Sequence, residues 1–293
     1  MISKNISIII PYTQSEYSVK EVIDKINIQK KLSINNYDVI AVLNSAEFSM
    51  LDIDCHCLHE TQLGSPYNAR NKGIKFKKSE YYVFLDATCI PADDWLATLD
   101  KIIINEPDIV AANVKFSPRT ASVTSIGDIY DSIVNIDNES SVKSRGVAKT
   151  ACLVVHSQVI LEVGYFEEGI RSGGDVIWTG LATSKGFNLE FNQDWIVRKY
   201  SRNTKDLIKK QFRVAKGWPN VWKNLSKINY SKMLVKKVLF GFVPPSPLFL
   251  FRTSQRRSIS LTKINKVKLV VFGTVLRFVS SLGIIYGIIR KND

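Results

Sequence analysis

The chain has 293 residues, 45% of them hydrophobic, with 40 Lys+Arg against 27 Asp+Glu and a formal net charge of +13. This length exceeds the usual single-domain mode and suits one large domain with an extension. Four cysteines scattered through a Lys- and Asn-rich chain exclude a small disulfide scaffold and fit a reducing cytoplasm.

The charge is unevenly spread. Residues 1–197 hold 18 Lys+Arg and 25 Asp+Glu, whereas residues 198–293 hold 22 Lys+Arg and two acids, Asp206 and Asp293. Two parts so different in charge meet different partners. Met1 to Lys4 runs straight into an apolar segment with no leader pattern, so the mature protein is expected to begin at Met1.

Over residues 1–115 short β-like runs alternate with helical patterns, the signature of βαβ units in an α/β domain with a parallel sheet. Strands are expected at Ile6–Ile10, where Pro11 ends the run, and at Val39–Leu43, Cys55–His59, Tyr81–Leu85 and Ile109–Val114. Helices should fill most of Glu16–Leu32, Pro66–Lys78 and Pro91–Ile104. Periodicity fades from Lys115 to Lys149, which reads as an irregular excursion; pattern resumes at Thr150–His156 and continues into a helix.

The segment Cys55-His56-Cys57-Leu58-His59 has metal-ligand residue types, but a strand divides them between two faces and their spacing is not that of structural zinc sites. An ordinary strand is the expected reading. The apolar run Tyr82–Leu85 ends in Asp86, and ligands in open α/β sheets bind beyond the carboxyl ends of strands. Arg70 lies on the helix leading into that strand. A cation near a strand-end carboxylate suits a diphosphate and a sugar hydroxyl.

These segments resemble glycosyltransferase family 2. Asn68-Ala69-Arg70-Asn71-Lys72-Gly73 is similar to the family's ARN-x-G helix, and Leu85-Asp86-Ala87-Thr88 to its LD-x-D strand end. Gly164-Tyr165-Phe166-Glu167-Glu168 with Ser172-Gly173-Gly174-Asp175 is similar to its GGFDE and GGED region, and Phe212–Gly217 to an R-x-G-x-G helix end. The resemblance spans roughly residues 5–217. It implies a GT-A fold, Rossmann-like, with a mostly parallel sheet flanked by helices, and an inverting transferase that uses a nucleotide-sugar donor.

The resemblance also implies roles. Pro11 and Tyr12 stand at the loop under the nucleobase, although Tyr12 equally suits a ring covering a strand end. Asn44 stands where the family has an Asp facing uracil. Arg70 faces the diphosphate, and Asp86 the ribose or sugar. Asp86 is also the candidate ligand for a divalent metal, Mg²⁺ or Mn²⁺, and Thr88 occupies the motif's second acidic position. Asp175 is the expected general base, with a helix cap as its other use. Trp178 is a platform for the acceptor or else a core tryptophan.

The last ~80 residues form a separate pattern. Val267–Ile289 is apolar but interrupted by Lys268 and Arg277, and the clean remainder Phe278–Ile289 is shorter than the ~20 residues a spanning helix needs. An amphipathic helix lying in a membrane interface is expected. The cations alternate with long aliphatic and aromatic runs, which favours an anionic membrane surface over nucleic acid.

The expected organisation is a transferase domain over 1–217, its nucleotide half 1–115 and its acceptor half 116–217, followed by a basic helical extension over 218–293. The expected role is sugar transfer to a glycan or lipid-linked acceptor in bacterial surface polysaccharide synthesis, at the inner face of the cell membrane. A second reading keeps the fold and tail as a silent binding subunit of a glycan assembly complex.

Overall fold

The computed structural model describes residues 3–13, 18–47, 53–63, 65–118, 125–224 and 229–289. The strands are β1 (Asn5–Tyr12), β2 (Asn36–Asn44), β3 (His56–Glu60), β4 (Tyr81–Leu85), β5 (Cys89–Pro91), β6 (Ile109–Ser117), β7 (Cys152–His156) and β8 (Leu189–Tyr200). The helices are α1 (Ser18–Lys30), α2 (Pro66–Phe76), α3 (Trp95–Ile103), α4 (Ile126–Val134), α5 (Asn138–Arg145), α6 (Ser157–Val163), α7 (Gly174–Ser184), α8 (Thr204–Asn224), α9 (Tyr230–Leu239), α10 (Pro247–Arg256) and α11 (Lys263–Ile289). The chain forms two compact units, the first from Met1–Lys115 and Ile136–Lys199, the second from Phe116–Asn135 and Tyr200–Asp293.

The first unit is the expected α/β sheet flanked by helices, with strand order β3-β2-β1-β4-β7-β6-β8-β5. β3, β2, β1 and β4 are parallel, while β7 joins β4, β6 joins β7 and β5 joins β8 antiparallel. Strands buried on both faces need near-continuous apolar runs, and every residue of β4 is buried, as is β1 after Asn5. Alternation sorts the side chains between the faces. Ile9, Ile40, Val42 and Phe84 pack with Ile74 of α2, Val159 of α6 and Trp178 of α7. On α1 and α3, Val22, Ile23, Ile26, Trp95 and Leu99 are buried, and Trp95 stacks on Trp195 of β8 at 5.5 Å.

Chain order reverses between β1 and β4, because β2 and β3 continue on one side of β1 and β4 lies on the other. A crevice outside the carboxyl ends of the strands at such a switch point is where open α/β sheets bind ligands. Tyr12, Asn44 and Asp86 stand at or just beyond those ends.

Several elements depart from expectation. β1 does not stop at Pro11 but pairs with β2 through Tyr12, opposite Leu43. Its pairing with β4 ends at Ile9, so Pro11 lies where no partner on that side needs its missing N–H. The first expected helix starts at Ser18; Glu16 lies outside the described residues. The expected excursion over 115–149 contains α4 and α5. Ser125 and Asp128 form a capping box on α4, Asp137 caps α5, and Gly146 closes α5 at φ 60°.

In the second unit, the expected boundary at 217 falls inside the continuous helix α8, and Phe212–Gly217 is helix interior rather than a helix end. α11 runs unbroken through Lys268 and Arg277, so by length and composition it is long enough to cross a membrane. The Arg277 guanidinium donates to the carbonyls of Val243 and Pro244 and lies over Phe240 at 4.3 Å, which gives the cation local partners. Gly283 lets α11 approach α8 closely: a Cβ there would stand 2.8 Å from the Phe212 carbonyl oxygen.

Candidate active site

The tight turn after β4 fixes Asp86. Its N–H donates to the Ala151 carbonyl at 3.0 Å, and its own carbonyl accepts from Cys89 N–H at 2.8 Å, closing a four-residue turn with Ala87 and Thr88. The carboxylate, 31% exposed, receives two cations. Arg70 Nη2 lies 2.9 Å from Oδ1 and Lys199 Nζ lies 3.0 Å from Oδ2, and the two side chains are only 3% and 6% exposed. The three side chains together have a formal charge of +1.

Lys199 is the site residue that sequence reading missed, since it was counted only among the cations of residues 198–293. The signal lay in strand alternation: Trp195, Val197 and Lys199 occupy successive inward positions of β8, and all three are buried. A lysine on a buried strand face needs a partner. Its position opposite Cys89 in the β5–β8 pairing brings it to Asp86.

α2 organises the rest. Ser65 caps it, accepting from Tyr67 N–H, and Pro66 takes the first turn, where no N–H is needed. Ala69 and Ile74 enter the core, and Gly73 permits close contact with β1, because a Cβ there would meet Ile9 Cγ2 at 2.6 Å. Asn71 bonds both ways to Phe166, donating to its carbonyl at 2.8 Å and accepting from its N–H at 3.0 Å. Asn68 Oδ1 accepts from Gly169 N–H, and Ser65 Oγ donates to the Ile170 carbonyl. One helix thus presents Arg70 to Asp86 and holds the loop that leads to Asp175.

Tyr67 and Arg70 are three residues apart on one face of α2. The Arg70 guanidinium lies 5.3 Å from the Tyr67 ring centre, and the Tyr67 hydroxyl donates to Asp175 Oδ1 at 3.1 Å. Burial, then the Asp175 charge, pushes the Tyr67 pKa well above the ordinary phenol value, so the hydroxyl remains a donor. Asp175 sits in the first turn of α7, after Gly173 at φ 89°, and is not the cap; its Oδ1 also accepts from Val176 N–H at 2.9 Å. Among the described residues Oδ2 has no hydrogen bond. Gly174 replaces the family's acid because Tyr67 fills its space: a Cβ would lie 2.8 Å from the ring.

Other expected site residues fare differently. Pro11 is a buried strand residue. Tyr12 is 4% exposed, and burial, then Cys57 and Cys55, pushes its pKa up to about 12; it covers the strand end rather than offering a stacking face. Asn44 uses its amide nitrogen on the carbonyls of Glu60 and Gln62, leaving only Oδ1 to face a base. Trp178 is a core residue, not a platform: it is 3% exposed, packs on Phe166 at 5.0 Å and donates to the Gly164 carbonyl. Cys55 and Cys57 Sγ atoms lie 3.6 Å apart, and His59 Nε2 pairs with the Ser45 carbonyl, as in an ordinary strand.

Asp86 does not fit the expected metal role. Both of its oxygens hold cations, Thr88 brings only a neutral hydroxyl, and among the described residues no group of three or more His, Cys, Asp or Glu can hold an ion. Hard dications take several oxygen ligands, usually with carboxylates among them.

A mixed sheet with a carboxylate at its switch point, a cationic helix behind it and a second carboxylate joined through that helix agrees with the GT-A fold that the resemblance implies. The chain belongs to glycosyltransferase family 2 and is a glycosyltransferase. The Glycosyl transferase family 2 profile matches residues 7–128. The chain is 31% identical to Glycosyltransferase AglE of Haloferax volcanii, over 98% of this chain and 97% of that protein. It is similar in fold to the mannosyltransferase PcManGT of Pyrobaculum calidifontis, solved with GDP-Man and Mn²⁺, at 14% identity and a TM-score of 0.60, covering 98% of this chain and 88% of that one. It is also similar to S. aureus TarS 1-349 solved with UDP, at 13% identity and a TM-score of 0.52, covering 99% and 92%.

Proposed function

We propose that the first unit moves a sugar, with inversion, from a nucleotide diphosphate donor to a hydroxyl of a glycan or lipid-linked acceptor in surface polysaccharide assembly. The observation that carries this reading is the continuous chain Asp86–Arg70–Tyr67–Asp175, which couples a donor-end carboxylate to a base through one helix. Asp175 Oδ2 takes the acceptor's proton as the acceptor oxygen attacks the anomeric carbon. The bond from that carbon to the diphosphate breaks, its electron pair leaves with the phosphate oxygen, and Arg70 faces the charge that develops there. A single displacement from the far side inverts the centre. Incubating the purified protein with UDP-, GDP- and dTDP-sugars and an acceptor panel tests this; a β-linked product from an α-linked donor supports it, and retention of configuration refutes it.

The second unit serves as the membrane-facing part, at the inner face of the cell membrane. Val267, Val271, Val275, Phe278, Leu282 and Ile285 form an exposed stripe at three- and four-residue spacing along α11, and Phe242 packs on Phe278 at 5.7 Å. Lysines 263, 266 and 268 stand at one end of that helix. Apolar burial plus attraction to anionic lipid is what holds an interface-lying helix. Flotation with liposomes containing anionic lipid, and failure to float with neutral ones, is the expected result.

The silent-subunit reading draws on Thr88 and on Gly174 standing where the family has an acid. It predicts no product in the same assay.

A further inference from the structure

We infer that the Arg70–Asp86–Lys199 cluster is itself the cation that binds the donor diphosphate, so that this chain handles its nucleotide sugar without a divalent metal. The inference rests on the nucleotide-sugar reading above and specifies how that site works.

Three observations support it. Asp86 gives Oδ1 to Arg70 at 2.9 Å and Oδ2 to Lys199 at 3.0 Å, so a dication approaching this carboxylate would meet two positive charges already there. Thr88, on the same turn, supplies no negative charge to draw it in. Among the described residues the buried Arg70 Nε has no hydrogen-bond partner, an arrangement that native interiors rarely leave without a use.

A +1 cluster at the carboxyl end of β4 can do the electrostatic part of a metal's work, by attracting the donor and stabilising the diphosphate as it leaves. Lys199 Nζ is a positive charge held at Asp86, and a phosphate oxygen arriving there meets that charge. The ammonium is fixed by Asp86 and by Cys89 Sγ at 3.7 Å, so it is in place before the donor arrives. The side chain that the buried face of β8 could not leave unpaired thus becomes the replacement for the motif's second acid and its ion.

Calorimetric titration of the full chain with UDP, GDP and dTDP, each with EDTA or with Mn²⁺, tests this without any substitution. Affinity in EDTA should lie within about twofold of that in Mn²⁺. Lys199→Gln should weaken binding about tenfold or more, Lys199→Arg should retain it, and Thr88→Asp should introduce a response to Mn²⁺. Thermal melts identify any variant that fails to fold, and the wild-type comparison stands without it. Binding seen only with Mn²⁺, or unchanged affinity in a folded Lys199→Gln, overturns the inference while the donor reading survives. Binding of no nucleotide under either condition overturns both.

Discussion

The Tyr67 hydroxyl donates to Asp175 Oδ1 at 3.1 Å, joining the first turn of α2 to the first turn of α7 across 108 residues of sequence. This bond orients the carboxylate proposed as the base, and it links that group to the Asp86 end of the site, because the same tyrosine ring lies beside Arg70. Positioning of this kind is what lets a carboxylate act on a bound hydroxyl.

Tyr67→Phe keeps the ring that Gly174 accommodates and removes only the hydroxyl. Turnover should fall roughly tenfold with little change in donor affinity, and stability should drop by about 1.5–3 kcal/mol, as expected for one hydrogen bond to a charged group. Steady-state kinetics beside a urea unfolding curve measures both. Unchanged turnover would remove Tyr67 from the site.

Gly174→Ala tests the contact from the other side. The added Cβ would stand 2.8 Å from Tyr67 Cε2, and relief requires moving a 3% exposed ring. A loss of about 1–3 kcal/mol is expected, the range for overpacking a filled interior. The companion Gly174→Ala, Tyr67→Leu should recover part of that stability and none of the activity.

The second unit has its own acid limit. Asp128 of α4 is buried, which alone would raise its pKa, but hydrogen bonds from Ser125 and Ser201 outweigh burial and hold it below its ordinary 3.8. A depressed carboxyl pKa gives stability that is present above the unfolded value and lost as pH falls through the folded one. Melting temperature should therefore decline as pH drops below about 4. In Asp128→Asn the neutral-pH melting temperature should be lower and its acid dependence shallower; an identical acid limb would show that Asp128 does not contribute.

Much of the nucleotide half was legible because buried parallel strands announce themselves as apolar runs, and Asp86, Arg70 and Asp175 stand on recognisable segments. What escaped notice depended on long-range pairing. Lys199 becomes meaningful only when β8 meets β5, 110 residues from Cys89. Tyr67 reads as a core aromatic until Gly174 is seen against it. For Tyr12 and Trp178 the sequence leaves open a stacking face or a buried ring, because it reports ring chemistry but not exposure. α4 and α5 escape the reading although Ser125-x-x-Asp128 is a capping signal, since each is nine residues or fewer and α5, NESSVKSR, buries Asn138 and Ser141 rather than an apolar face. Arg277 was read as an interruption because its partners, the Val243 and Pro244 carbonyls, lie in another helix connection.

The most direct measurement is Asp175→Asn, with product formation and donor affinity determined on the same preparation. If Asp175 is the base of a working transferase, turnover falls by roughly 10²-fold or more, while donor affinity stays within about twofold. Turnover equal to wild type, or a loss of donor binding that matches the loss of product, would contradict the assignment.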